Sequence, residues 1–292
     1  MADSSVSGVF TSATSAEVEL PRHARKQAGG ENFPVALRVL PRELRRGLVT
    51  LYDYARYVDD LGDEFDGDRV AALHRAAEIV RSGCTGPDIP AALAGAALLR
   101  EHYGVAADDL LNLVQANIID QQVDRYPTFA DLLDYCRLSA NPVGRAVLAI
   151  AGANGDERIE LSDRICTGLQ IIEHLQDVGE DYRAGRVYLP QTDLHRFSVT
   201  EPMLSADSAP PPLKDLIRYE TDRAVAYLNA GAPLVSVLHG WPRLAVSAFL
   251  AGGRAAAQTV RRAGYDVLGR DCSPPKRAVA RAYLRATVRT PG

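Results

Sequence analysis

Two acidic runs have spacings that would place carboxylates together on helical faces. The first is Tyr52-Asp53-Tyr54-Ala55-Arg56-Tyr57-Val58-Asp59-Asp60-Leu61-Gly62-Asp63-Glu64. On a helix, Asp59 and Asp63 lie one turn apart on one face, with Arg56 a turn before Asp59 and Tyr52 a turn before Arg56. Like charges at that spacing repel by roughly 0.2–0.5 kcal/mol, which a cation would offset. Hard oxygen donors suit Mg²⁺. A DxxxD pair alone equally describes a solvated helix face, and Asp60 and Glu64 leave the Asp59/Asp63 face.

The second run is more demanding. Gln170, Glu173, Asp177 and Asp181 fall at i, i+3, i+7 and i+11, a single helical stripe. Leu169, Ile172, Leu175 and Val178 flank it, so the helix is at least partly embedded, where a polar stripe is costly unless paired. Two such stripes facing across a helical cavity would hold Mg²⁺ against a diphosphate, since Mg²⁺ bridges a few carboxylates to phosphate oxygens and keeps several waters. Arg56, Arg186 and Tyr188 would donate to the same diphosphate. Neutralising a departing diphosphate lowers the barrier to C–O ionisation without a protein nucleophile. His174 sits beside the stripe and reads as a packing or hydrogen-bonding side chain.

Helices must position these residues. Residues 1–28 read as a loose arm, and residues 29–292 as one domain. Apolar spacing and Gly/Pro punctuation predict helices over 41–65, 69–81, 91–103, 108–124, 128–138, 160–184, 213–238, 241–263 and 274–288. Thr128 with Asp131 resembles a capped start, and Asn141-Pro142-Val143-Gly144 marks a break or kink. Residues 201–212 read as a loop closed by Pro210-Pro211-Pro212. Strand signals are almost absent. The expected fold class is all-α, one domain of about ten helices.

Bulk properties agree with a soluble globular chain: 292 residues, 47% hydrophobic, 24% charged, net charge −4. That charge gives no reason to expect nucleic acid or an anionic membrane as partner. Cys84, Cys136, Cys166 and Cys272 form no CxxC pair and read as free thiols in a reducing cytosol. The first residues carry no secretory pattern, and no apolar run reaches membrane-span length. A cytoplasmic protein is expected, with at most peripheral membrane contact through a greasy substrate or product.

The paired motifs resemble those of the squalene/phytoene synthase family, head-to-head prenyl synthases with an all-α isoprenoid-synthase fold around a central cavity. Tyr52, Arg56, Asp59, Asp60 and Asp63 match a YxxxRxxDDxxD pattern. Gln170, Asp177, Asp181, Arg186 and Tyr188 match QxxNxxxDxxxD followed by RxY. Glu31-Asn32-Phe33-Pro34-Val35 and Tyr135-Cys-Arg-Leu-Ser-Ala-Asn141-Pro142-Val143-Gly144 are similar to the hydroxysqualene synthase branch, and Gly264 to Leu268 to a segment of the wider family.

The resemblance implies metal ligands at Asp59, Asp63, Glu173, Asp177 and Asp181. It implies diphosphate contacts from Arg56, Gln170, Arg186, Tyr188 and Arg270, and catalytic roles for Tyr52, Arg56, Asn141 and Tyr188. Glu173 departs from the family's asparagine, and Gly253 falls where some relatives place a tyrosine. The implied reaction is Mg²⁺-dependent (Mn²⁺ as an alternative) conversion of presqualene diphosphate and water to hydroxysqualene. The resemblance implies no nicotinamide cofactor, and consistently no GxGxxG follows a strand. Upstream and downstream squalene-pathway enzymes would be its partners.

The rival enzyme reading is condensation of two prenyl diphosphates to presqualene diphosphate or phytoene. A four-helix di-iron protein would need Glu-x-x-His, whereas Glu173 and His174 are adjacent. An inactive assembly subunit would be expected to have broken acid pairs.

Overall fold

Capping side chains and weak helix formers set the element boundaries in the computed structural model, which describes residues 40–86 and 88–268. Helix α1, Arg42–Asp63, follows Pro41, and α2, Arg69–Arg81, starts where the Asp68 carboxylate accepts from the Ala71 amide at 2.9 Å. Helix α3, Ala91–Tyr103, ends at Gly104, whose φ of +70° is the left-handed cap that glycine tolerates. Helices α4, Ala107–Ile119, α5, Phe129–Ser139, and α6, Asn141–Ile150, follow. Thr128 and Asp131 close a reciprocal capping box at the start of α5.

The chain continues through α7, Asp156–Gln176, α8, Val178–Arg183, α9, Gln191–Arg196, and a 3₁₀ turn, Glu201–Ser205. Helices α10, Pro211–Gly231, α11, Leu234–Val237, and α12, Gly240–Arg262, complete the described part. These residues form one all-α domain with no strand; an isolated bridge joins Arg125 and Val187.

One core lies among α7, α10 and α12, with Ile171, Leu213, Leu216 and Leu228 buried in it. A second lies among α1 to α4 and α6, around Leu51, Tyr54, Leu73 and Leu110. A small aromatic cluster of Tyr126, Tyr135 and Tyr188 sits beside α4 and α5.

Several expected elements differ. The helix read over 160–184 begins at Asp156 and is interrupted at Asp177, whose ψ of 7° leaves the helical region, with Gly179 close behind. Neither residue type favours a helix interior. The helix read over 213–238 stops at Gly231, because Pro233 has no amide to continue the ladder. The proline run opens α10 instead of ending a loop, as first-turn prolines lose no helical hydrogen bond. Part of the expected 201–212 loop is the 3₁₀ turn, and α9 had no counterpart in the sequence reading. The helix expected over 108–124 ends at Ile119. The 1–28 arm, the 31–35 segment and the 274–288 helix lie outside the described residues.

Candidate active site

The acidic run of α1 and the stripe of α7 and α8 meet at one polar cavity of about 350 Å³. Asp59 and Asp63 face it from α1. Gln170, Glu173 and His174 face it from α7, with Asp177 at the break and Asp181 on α8. Arg186 and Tyr188 close it from the segment after α8.

A third helix completes the wall. Asn117 of α4 donates to Asp59 Oδ1 at 3.1 Å and to the Leu113 carbonyl at 3.2 Å. Gly62 makes this approach possible, since a Cβ there would fall 2.4 Å from Asn117 Oδ1. Gln121 donates to the Gly62 carbonyl at 3.1 Å and fastens the same two segments. From the opposite side, Arg186 Nη2 reaches Asp63 Oδ1 at 2.9 Å, joining the two acidic elements directly.

Six carboxylates (Asp59, Asp63, Asp120, Glu173, Asp177 and Asp181) line this cavity with one guanidinium, Arg186. Loss of solvation between the protein walls raises the pKa of Asp59, and the Asp63 charge adds to it against the Asn117 hydrogen bond. Burial and then the Asp177 charge push Asp181 up to about 7. Asp177 is raised by burial and by Glu180. Burial opposes the charge of Arg186, but the Asp63 hydrogen bond and nearby carboxylates outweigh it and raise its pKa. The protein alone leaves the cavity rich in negative charge.

Asp120, just past α4, was not foreseen. It accepts hydrogen bonds from Tyr135 at 2.6 Å and Tyr188 at 3.0 Å, and burial pushes its pKa up to about 6 despite both. His174 stacks on Tyr188 at 3.8 Å between centroids, and its Nε2 lies 3.3 Å from Gln170 Nε2. Burial, with Arg186 nearby, lowers its pKa to about 3, so the ring is neutral and can accept from Gln170. The signal for this wall was present: Leu113, Ala116, Asn117 and Asp120 fall at i, i+3, i+4 and i+7.

Other expected site residues stand elsewhere. Arg56 pairs with Asp60 at 2.8 Å and Glu64 at 3.1 Å, and neither it nor the half-buried Tyr52 lines this cavity. Asn141 is buried and accepts from the Thr167 hydroxyl at 3.1 Å. The Tyr188 hydroxyl is directed to Asp120 in this conformation. Arg270 lies outside the described residues.

A second cavity, about 240 Å³, adjoins the first and is lined by apolar groups including Val147, Leu148, Ile165, Leu169 and Phe249. Ser139, Gln170 and Glu173 line both. Gly144 is part of its wall, where a Cβ would fall 2.4 Å from Cys166 Sγ. Gly253 packs so tightly that a Cβ would lie 2.5 Å from Leu169 Cδ2, which leaves no space for a tyrosine in this packing.

No group of three or more His, Cys, Asp or Glu side chains forms a preformed metal site among the described residues. The donors instead stand apart on α1, α7 and α8. Separate hard-oxygen donors fit Mg²⁺ that takes one or two carboxylates and fills its remaining positions with water and substrate phosphate.

Comparison with known proteins identifies the family. The squalene/phytoene synthase model matches residues 26–283. The chain belongs to that family. It is an enzyme of prenyltransferase type. It is 33% identical to hydroxysqualene synthase of Zymomonas mobilis over 218 residues, 72% of this chain and 71% of that protein. Presqualene diphosphate synthase of Rhodopseudomonas palustris is 32% identical over 234 residues, 75% of this chain and 78% of the relative. The crystal structure of squalene synthase HpnC from Alicyclobacillus acidocaldarius superposes with a TM-score of 0.75 at 39% identity, covering 83% of this chain and 93% of the other.

Proposed function

We propose that this enzyme converts presqualene diphosphate and water to hydroxysqualene, releasing diphosphate. The observation carrying the proposal is the junction of an acid-lined cavity with an apolar one through Ser139, Gln170 and Glu173. A diphosphate belongs in the first, its hydrocarbon in the second, and the bond to be broken between them. The relatives named hydroxysqualene synthase favour this reaction within the family.

Asp59, Asp63, Glu173, Asp177 and Asp181 would hold Mg²⁺, with Mn²⁺ as a substitute. The metal supplies Lewis-acid stabilisation of the departing diphosphate. Arg186 adds a charge-assisted donor once it exchanges part of its contact with Asp63 for phosphate oxygens. The Asp120 hydrogen bonds keep Tyr135 and Tyr188 fixed at the cavity wall, with His174 stacked behind Tyr188. Apolar walls exclude nucleophiles from the cation except at the boundary.

No described helix is long and apolar enough to cross a membrane. We place the enzyme in the cytoplasm, with membrane contact limited to exchange of its lipid substrate and product. The similarity to presqualene diphosphate synthase supports a second reading, condensation of two prenyl diphosphates. Purified enzyme with Mg²⁺ should convert presqualene diphosphate to hydroxysqualene and leave farnesyl diphosphate unchanged when that is supplied alone. Consumption of farnesyl diphosphate without turnover of presqualene diphosphate would select the second reading.

A further inference from the structure

The reaction proposed above needs one water admitted to a cavity that must otherwise exclude it. Ser139 ends α5 at the boundary and lines both cavities. Its hydroxyl oxygen is buried and has no hydrogen-bond partner among the described residues. Buried polar groups are normally satisfied by protein or by an ordered water. In the rotamer shown this oxygen is closed off from water, and turning the hydroxyl toward the cavities that Ser139 lines would give it such a partner. Tyr126 and Gln191 also carry unpartnered buried atoms, but neither lines either cavity.

The surroundings restrict what that partner can be. On the apolar side, Val143, Val147 and Leu169 offer no hydrogen bond. On the polar side, Gln170 is held by His174 at 3.3 Å, which keeps its amide at the boundary. A serine hydroxyl both donates and accepts and turns between staggered rotamers, so it can orient a water beside a cation without becoming charged.

We infer that Ser139, with Gln170 beside it, seats the water that captures the rearranged carbocation. This rests on the water-capture reading of the reaction. The substrate C–O bond breaks with its electron pair leaving on diphosphate, and the carbon skeleton rearranges as a cation. The seated water's oxygen then bonds to the cationic carbon, and its proton passes to the departed diphosphate in the adjoining polar cavity. Ser139 is a positioning residue: it holds the nucleophile and takes no part in ionisation.

The test compares products of presqualene diphosphate turned over with Mg²⁺ in ¹⁸O-water by the wild-type enzyme, Ser139→Val and Ser139→Ala. Alcohol and the hydrocarbon formed by proton loss arise from the same ionisation, so their ratio does not depend on how much of a variant folds. The ratio should fall about tenfold or more in Ser139→Val, the size of one lost hydrogen bond, and fall also in Ser139→Ala. Ratios within about twofold of wild type in both variants would overturn the inference while leaving the reaction intact. So would loss of all turnover in both variants with Mg²⁺-diphosphate binding preserved. A wild-type enzyme that makes no ¹⁸O-labelled alcohol would remove the reaction reading, and this inference with it.

Discussion

Around Arg223, Asp193 lies at 2.9 Å and Glu220 at 2.8 Å, while the guanidinium also packs over the Phe129 ring at 3.9 Å. Around the polar cavity, six carboxylates share Arg186, which directly pairs with Asp63. Both clusters gather acids between helices. Burial pushes Glu220 up to about 8 against the pull of Arg223, and Asp181 up to about 7 with Asp177 adding to the rise. The first cluster brings its own cation to the acids and serves packing. The second is left electrostatically incomplete by the protein, and under the proposed function a cation carried with substrate would complete it.

This contrast can be broken from either side. Arg223→Ala should lower stability by about 3–5 kcal/mol in urea unfolding, because Asp193 would remain buried without its cation and Glu220 would lose its hydrogen-bond donor. Asp177→Asn should act in the opposite sense: turnover falls by about 100-fold or more, while the melting temperature holds or rises as repulsion is relieved. A large loss of stability in Asp177→Asn would erase the distinction between the clusters.

A pH series sharpens it. Asp181 has an ordinary value of 3.8 and a folded value of about 7, so the native state holds this proton more tightly than the unfolded chain. Its contribution to stability is therefore present at low pH and declines as pH rises from about 4 to 7 in the metal-free protein. Mg²⁺ with diphosphate should raise the melting temperature more at pH 8 than at pH 5, because ligation relieves the charge that burial penalises. Equal shifts at both values would speak against compensation by metal. The smallest expected effect is that of Asp120→Asn, which weakens the acceptor for Tyr135 and Tyr188 and should cost about 1 kcal/mol.

How much of this could be read beforehand depended on whether the contact was local. Asp59 with Asp63, and Gln170 through Asp181, are fixed by helical period, so their common direction was legible from spacing. The Thr128–Asp131 capping box was equally local. Asn117 and Asp120 join the site through a helix packed from elsewhere in the chain, and their own stripe carried no pointer to its partner. Arg56 showed the limit of spacing: Asp59, Asp60 and Glu64 were all near in sequence, and the structure joins it to Asp60 and Glu64. The interruption at Asp177 was hidden because the stripe continues across it, so the acids converge although the helix does not.

The central claim is that the acid-lined cavity binds diphosphate through a metal. Isothermal titration of inorganic diphosphate into wild-type enzyme and Asp177→Asn, each with Mg²⁺ and with EDTA, tests it most directly. Binding to the wild type in Mg²⁺, lost with EDTA and strongly weakened in Asp177→Asn, is the predicted result. Binding of equal affinity in EDTA, or in the Asp177→Asn variant, would contradict it.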